Sequence, residues 1–251
     1  MDLGLQGKNA VVTGGSKGIG RATALALADE GANVAICARG AEALEATRKD
    51  LVAKGVKVYA ASCDVADAAA LSAFLDAARA ALGSVDILVN NPSGFGLTDD
   101  EAGWQVSVDI DLMATVRATN QVIPWMEAAG AGSIVHISSI SGLEAGSPAP
   151  YAAVKAALFN HAKTLAAQLA AKNIRVNCIA PGSIYFPGGF WEMVKTNMTP
   201  MYEATLANCP AGRMGTPEEV ADAVVFVASP RAKWVSGVTL PVDGVQHKGI
   251  Y

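Results

Sequence analysis

Two residues of this 251-residue chain have the types and spacing for acid–base chemistry. In "SPAPYAAVKAALFN" (147–160), Tyr151 stands four residues before Lys155. On a helix, residues four apart lie on one face, one turn apart. A free phenol has a pKa near ~10, too high for a base at neutral pH. An ammonium one turn away favours the phenolate and brings the phenol towards a working range. Taken alone, the stretch reads equally as an ordinary helix start, because Pro148 and Pro150 mark a boundary and an Ala-rich run follows.

The surrounding elements decide whether the pair can work. "NAVVTGG" (9–15), "NVAICAR" (33–39), "KVYAASCDV" (57–65), "VDILVNN" (85–91), "GSIVHISS" (132–139), "IRVNCIAPG" (174–182) and "GVTLPVDGV" (237–245) read as strands. Between them lie helical patterns at 18–31, 41–55, 67–83, about 101–129, 151–172 and 217–229. Near-continuous apolar strands alternating with helices predict a parallel sheet covered on both faces. Right-handed crossovers make it an α/β, Rossmann-like, doubly wound sheet of about seven strands. The absence of any linker or repeat predicts a single domain over 1–251. One stretch breaks the rhythm: residues 183–215, rich in Pro, Met and aromatics, follow a strand end. A long irregular insertion there predicts a lid over a binding site.

Composition narrows the function class. Hydrophobic residues are 51% and charged residues 17%, which predicts a well-buried core. A net charge of −4 with no Lys/Arg block argues against a nucleic-acid partner. Cys37, Cys63, Cys178 and Cys209 lack metal-ligand spacing, and no spaced histidine partners join them, so no metal site is expected. His136, His161 and His247 read as packing or surface residues. No run approaches the ~18 apolar residues of a membrane span, and the beginning lacks a signal-peptide pattern. A cytoplasmic protein with reduced thiols and no membrane contact is the expectation.

Between the first strand and first helix, "TGGSKGIG" places Gly14, Gly18 and Gly20. Glycines permit the tight turn and close approach of a diphosphate, and the following helix presents free N–H groups to the anion. The second strand ends in "ICARG", with Arg39 where an acidic residue would select NAD. Arg39 can pair with a 2′-phosphate, and Lys17 adds a second positive charge. Both also fit as solvated surface cations. Asp64 is placed to accept from an adenine amino group or to cap the next helix, for which Asp67 is the better candidate.

The motifs "TGGSKGIG", "CDV", "VNN", "ISSISG", "YAAVK" and "IRVNCIAPG", in this order, resemble the short-chain dehydrogenase/reductase family over nearly the whole chain. The resemblance implies a nicotinamide cofactor, NADP(H) rather than NAD(H) given Arg39, and frequent homotetramers or homodimers. It implies Tyr151 as acid/base, Lys155 beside it and Ser139 as the catalytic serine, ahead of Ser138 and Ser141. It places Gly14, Ser16, Lys17, Gly18, Ile19, Gly20, Arg39, Asp64, Val65, Asn91, Tyr151, Lys155 and Ile184 at the cofactor.

Three departures stand out. "DIDL" puts Asp111 where the family often has an asparagine supporting a proton-relaying water. Asp111 is expected either to keep that relay with altered pH dependence or to be paired with another group. "NNPSG" brings Pro92, which removes a backbone donor. "PGSIYF" carries Phe186 where a threonine often contacts the nicotinamide amide. Gly188 and Gly189 follow as a candidate hinge. Phe95, Phe186, Phe190, Trp191, Met193, Met198, Met201 and Tyr202 form either a pocket wall or a lid core or subunit interface. As a wall they favour a small apolar ketone or secondary alcohol. A 3-oxoacyl-carrier-protein reductase is the rival, weakened by the lack of Arg or Lys in "PWMEAAGAGS" (124–133). A non-catalytic NADP-binding sensor or scaffold is the rival of another class.

Overall fold

The computed structural model describes residues 2–250. Seven parallel strands form one sheet: β1 (Asn9–Thr13), β2 (Asn33–Ala38), β3 (Val58–Ser62), β4 (Ile87–Asn90), β5 (Gly132–Ile137), β6 (Ile174–Pro181) and β7 (Thr239–Val242). Their order is β3-β2-β1-β4-β5-β6-β7, so the chain reverses direction across the sheet between β1 and β4. Ligands of such sheets bind at the strand C-termini beside that switch point.

Alternation along the strands sends residues to two cores. Val11, Leu88, Ile134 and Val176 align across the sheet and pack on one face against α3 (Ala68–Leu82), α5 (Ala114–Ala129) and α6 (Ala149–Leu169). Val12, Ile36, Val89 and Val135 pack on the other face, against α1 (Gly18–Asp29), α2 (Ala41–Ala53) and α9 (Pro217–Ala228). Burial on both faces is why the strands read as apolar runs without a polar period. No helix among the described residues is long and apolar enough to cross a membrane.

The helix expected over 101–129 is present across that range, but not as one uniform α-helix: α4 (Glu101–Val106) passes into a π-helical segment, Ser107–Met113, before α5 begins. One expectation is corrected: the 183–215 segment is not irregular but holds two helices, α7 (Phe190–Asn197) and α8 (Thr199–Ala207). Pro200 lies in the first turn of α8, where its missing N–H breaks no bond, so a helix starter looks like a breaker in sequence.

Candidate active site

The end of β5 and the start of α6 build the centre. Pro148 caps α6, and Tyr151 and Lys155 occupy its first two turns. The Lys155 ammonium lies 5.5 Å from the Tyr151 ring centroid and donates to Ile137 O at 3.1 Å. Ser138 Oγ donates to Lys155 O at 2.7 Å, which ties β5 to α6 and consumes that serine. Ser139 caps the short turn Ile140–Gly142, its Oγ accepting from Ser141 N at 3.1 Å. Gly142 seats this turn on the helix: a Cβ there would fall 2.6 Å from Ala156 N. Ser139, Tyr151 and Lys155 are thereby brought together, and Ser138 serves as scaffold.

Asp111 pairs with Lys155 itself, not with some other cation. Lys155 is 2% exposed and Asp111 fully buried, with Asp111 Oδ1 3.0 Å from Lys155 Nζ in a close ion pair off the hydrogen-bond angle. Asp111 Oδ2 accepts from Gly94 N at 2.9 Å. Burial works to lower the lysine's pKa, but the charges of Asp111 and Tyr151 outweigh it and hold the ammonium above its usual value.

A buried polar chain, not legible as a unit in the sequence, runs beside this pair. Asn90 Nδ2 donates to Thr119 Oγ1 at 3.1 Å and to His136 Nδ1 at 3.2 Å. His136 then carries its proton on Nε2 and donates to His161 Nδ1 at 3.2 Å, the two rings lying nearly parallel. Burial, with His161 and Lys155 nearby, pushes the His136 pKa down to about 3, so the ring is neutral. The fifth and sixth strands pair His136 with Cys178, a thiol pushed up to about 12 by burial.

The glycine turn forms the anion cradle. Gly14 and Gly18 have positive φ, and a Cβ on Gly20 would overlap Gly14 O and Asn91 Nδ2. Asn91 Nδ2 donates to Gly14 O at 3.1 Å and its backbone N to Thr13 Oγ1 at 3.2 Å, so Asn91 braces the turn. α1 begins after Lys17 with no side-chain cap and no acidic residue in its first turn. Its uncapped amides fit a diphosphate. Arg39 and Lys17 are exposed, and Arg39 joins none of the ion pairs among the described residues. Asp64 Oδ1 accepts from Ala66 N at 3.1 Å, while Asp67 caps α3 as expected. Ser16 O accepts from Thr47 Oγ1 at 3.1 Å, and Ile19 and Val65 pack on the core. Ile184 is buried against Gly215.

The lid residues divide. Phe95 stacks on Tyr151 with centroids 5.5 Å apart, and Phe190 stacks on Phe95 at 5.4 Å with Trp191 edge-on behind it. Phe186 instead lies over Gly18. Tyr202 meets Tyr185, with Lys195 over both rings. Met193, Met198 and Met201 are exposed and stand outside the stack. Phe95 holds φ +51, a strained conformation that the sequence signals only through flanking Gly94 and Gly96.

A family model described as enoyl-(acyl carrier protein) reductase matches residues 14–245. The 3-oxoacyl-[acyl-carrier-protein] reductase FabG of Chlamydia muridarum is 40% identical over 96% of this chain and 97% of its own. The 7alpha-hydroxysteroid dehydrogenase of Escherichia coli is 35% identical over 97% and 95%. The structure of L-sorbose reductase from Gluconobacter frateurii, complexed with NADPH and L-sorbose, superposes with a TM-score of 0.91 at 36% identity, covering all of both chains. With Tyr151, Lys155, Ser139 and the glycine turn beyond the C-terminal ends of the central strands, the chain belongs to the short-chain dehydrogenase/reductase family, as an oxidoreductase acting on CH–OH groups.

Proposed function

We propose that this enzyme interconverts an apolar ketone and its secondary alcohol with NADP(H), Tyr151 exchanging the proton. The observation that carries the reading is the aromatic wall on the reacting ring, Phe190 on Phe95 on Tyr151. When bound, the cofactor supplies or takes the hydride. In reduction the Tyr151 hydroxyl donates a proton to the carbonyl oxygen; in oxidation its phenolate accepts one from the alcohol. Ser139 Oγ donates to the substrate oxygen as charge grows there. Lys155 supplies positive charge beside the phenol and holds the ribose, with Asp111 supporting it.

Gly14 and the run Ser16, Lys17, Gly18, Ile19 and Gly20 hold the diphosphate, and Arg39 with Lys17 pairs with the 2′-phosphate. Asp64 and Val65 meet the adenine, while Asn91 and the backbone of Ile184 line the nicotinamide side. The NADPH of the L-sorbose reductase complex supports this choice. NADH is the cofactor in the 7 alpha-hydroxysteroid dehydrogenase complex, so the choice rests on Arg39.

A second reading, 3-oxoacyl-carrier-protein reductase, is favoured by the 40% identical relative. It needs a basic face for an acidic carrier; beside the 124–133 segment Lys172 is engaged by Glu127 at 2.6 Å and Arg79 lies over the Trp125 ring. The sensor reading fits a CH–OH oxidoreductase poorly and is dropped. Four free, buried cysteines support a reducing, cytoplasmic setting. Trp234, 97% exposed, and the exposed Val238 and Leu240 beside the edge strand β7 support a homodimer or homotetramer.

The test is an NADPH-linked screen of apolar ketones, sugars and a 3-oxoacyl thioester, with Tyr151→Phe as control. Turnover of apolar ketones, reduced ~10²–10⁴-fold in the control, supports the reading. Preference for the sugar or the thioester overturns it.

A further inference from the structure

We propose that Asp111 is a positioning residue whose one buried carboxylate sets both the charge of the catalytic lysine and the loop that lays Phe95 on Tyr151. The inference rests on the reading of Tyr151 and Lys155 as the reacting pair. Asp111 lies inside the π-helical segment, whose extra residue turns side chains by about 100° from the path of a continuous α-helix. A fully buried carboxylate persists only when paired. Here one oxygen faces Lys155 Nζ at 3.0 Å and the other takes the Gly94 N–H at 2.9 Å.

Gly94 and Gly96 press the loop flat on its neighbours. A Cβ on Gly94 would fall 2.7 Å from Val106 Cγ1, and one on Gly96 would overlap Gly103 O. Between them Phe95 keeps φ +51, which bulky residues rarely hold unless their surroundings impose it. Its ring then covers Tyr151. Contacts thus run from Asp111 to the reacting ring by two routes: through Lys155, one helical turn from Tyr151, and through Gly94 and Phe95.

The charged groups around Lys155 come from four elements. Asp111 lies on the π-helical segment, Tyr151 on α6 itself, Cys178 on β6 and His136 on β5, backed by His161 from α6. The histidine and thiol are neutral at neutral pH. Asp111 is therefore the anion that offsets the ammonium.

Three variants separate the two roles. Asp111→Asn keeps an acceptor for Gly94 and removes the charge; Asp111→Ala removes both; Phe95→Ala removes only the ring. Hydrogen–deuterium exchange of the 92–97 peptide reads the loop without turnover. In Asp111→Asn, exchange and KM are expected to stay within ~2-fold while the alkaline limb of ketone reduction moves down by about one pH unit. In Asp111→Ala, exchange is expected to rise ~10-fold and KM with it, as a hydrogen bond to a charged group is lost. Phe95→Ala should raise KM with the pH profile unmoved. An unchanged exchange rate in Asp111→Ala, or superimposable pH profiles for wild type and Asp111→Asn, overturns the proposal. If the single Asp111 variants do not fold, Asp111→Leu with Lys155→Met replaces the pair by apolar side chains; a 92–97 segment still protected there also overturns it. If the wild type reduces no ketone with NADPH, the reading of the function falls, and the exchange measurements still decide the role of Asp111 in holding the loop.

Discussion

Phe186 lies directly on Gly18: a Cβ built on that glycine would fall 2.5 Å from Phe186 Cζ. The 183–215 segment therefore meets the glycine turn through an aromatic ring, and the turn accepts it only because Gly18 has no side chain. Gly18 also holds φ +51.

Gly18→Ala adds both a clash and a left-handed strain at the start of α1. The variant is expected to lose about 1–3 kcal/mol of stability and to bind NADPH at least ~10-fold more weakly. Urea denaturation and fluorescence titration measure the two effects. Wild-type values for both would show that the turn tolerates a side chain.

Arg39, just past the end of β2, is exposed and joins no ion pair among the described residues. A bidentate bond to a phosphate contributes about 1.5–3 kcal/mol. Arg39→Ala should weaken NADPH binding by roughly 10–100-fold and leave NADH binding unchanged. Equal losses for both cofactors would place Arg39 outside the 2′-phosphate site.

His136 makes stability depend on acidity. Its folded pKa of about 3 lies below the ordinary value of 6.5, so the unfolded chain binds the extra proton. The stabilisation is complete above the unfolded pKa and is lost as pH falls towards the folded one. Between pH 6.5 and 5 the loss is about 2 kcal/mol, from ~1.4 kcal/mol per unit. Urea midpoints at the two pH values measure it. His136→Gln should flatten this slope; an identical slope would assign the acid sensitivity to other groups.

What could be read along the chain was what neighbours in sequence create. Apolar runs such as "VDILVNN" mark strands because a sheet buried on both faces needs no polar period. Tyr151 and Lys155 share a face because helices bring residues four apart together. The glycine turn is legible because backbone freedom belongs to the residue type. Pro200 is the converse case: its type suggests a break, while its place in a first turn depends on where a helix begins.

The remaining facts came from residues distant in sequence meeting in space. Asp111 stood out in "DIDL" only as a departure from the family pattern, and its partners, Lys155 and Gly94, come from α6 and the loop after β4. His136 and His161 are lone histidines in the sequence and a bonded pair in the fold. The residue types and their local spacing were enough for the sheet, the glycine turn and the shared helix face of Tyr151 and Lys155, since those depend on short-range geometry. The ionisation around Lys155, the strained seat of Phe95 and the split of the lid aromatics required the packed structure, because charge and ring contacts depend on which distant groups share one desolvated space.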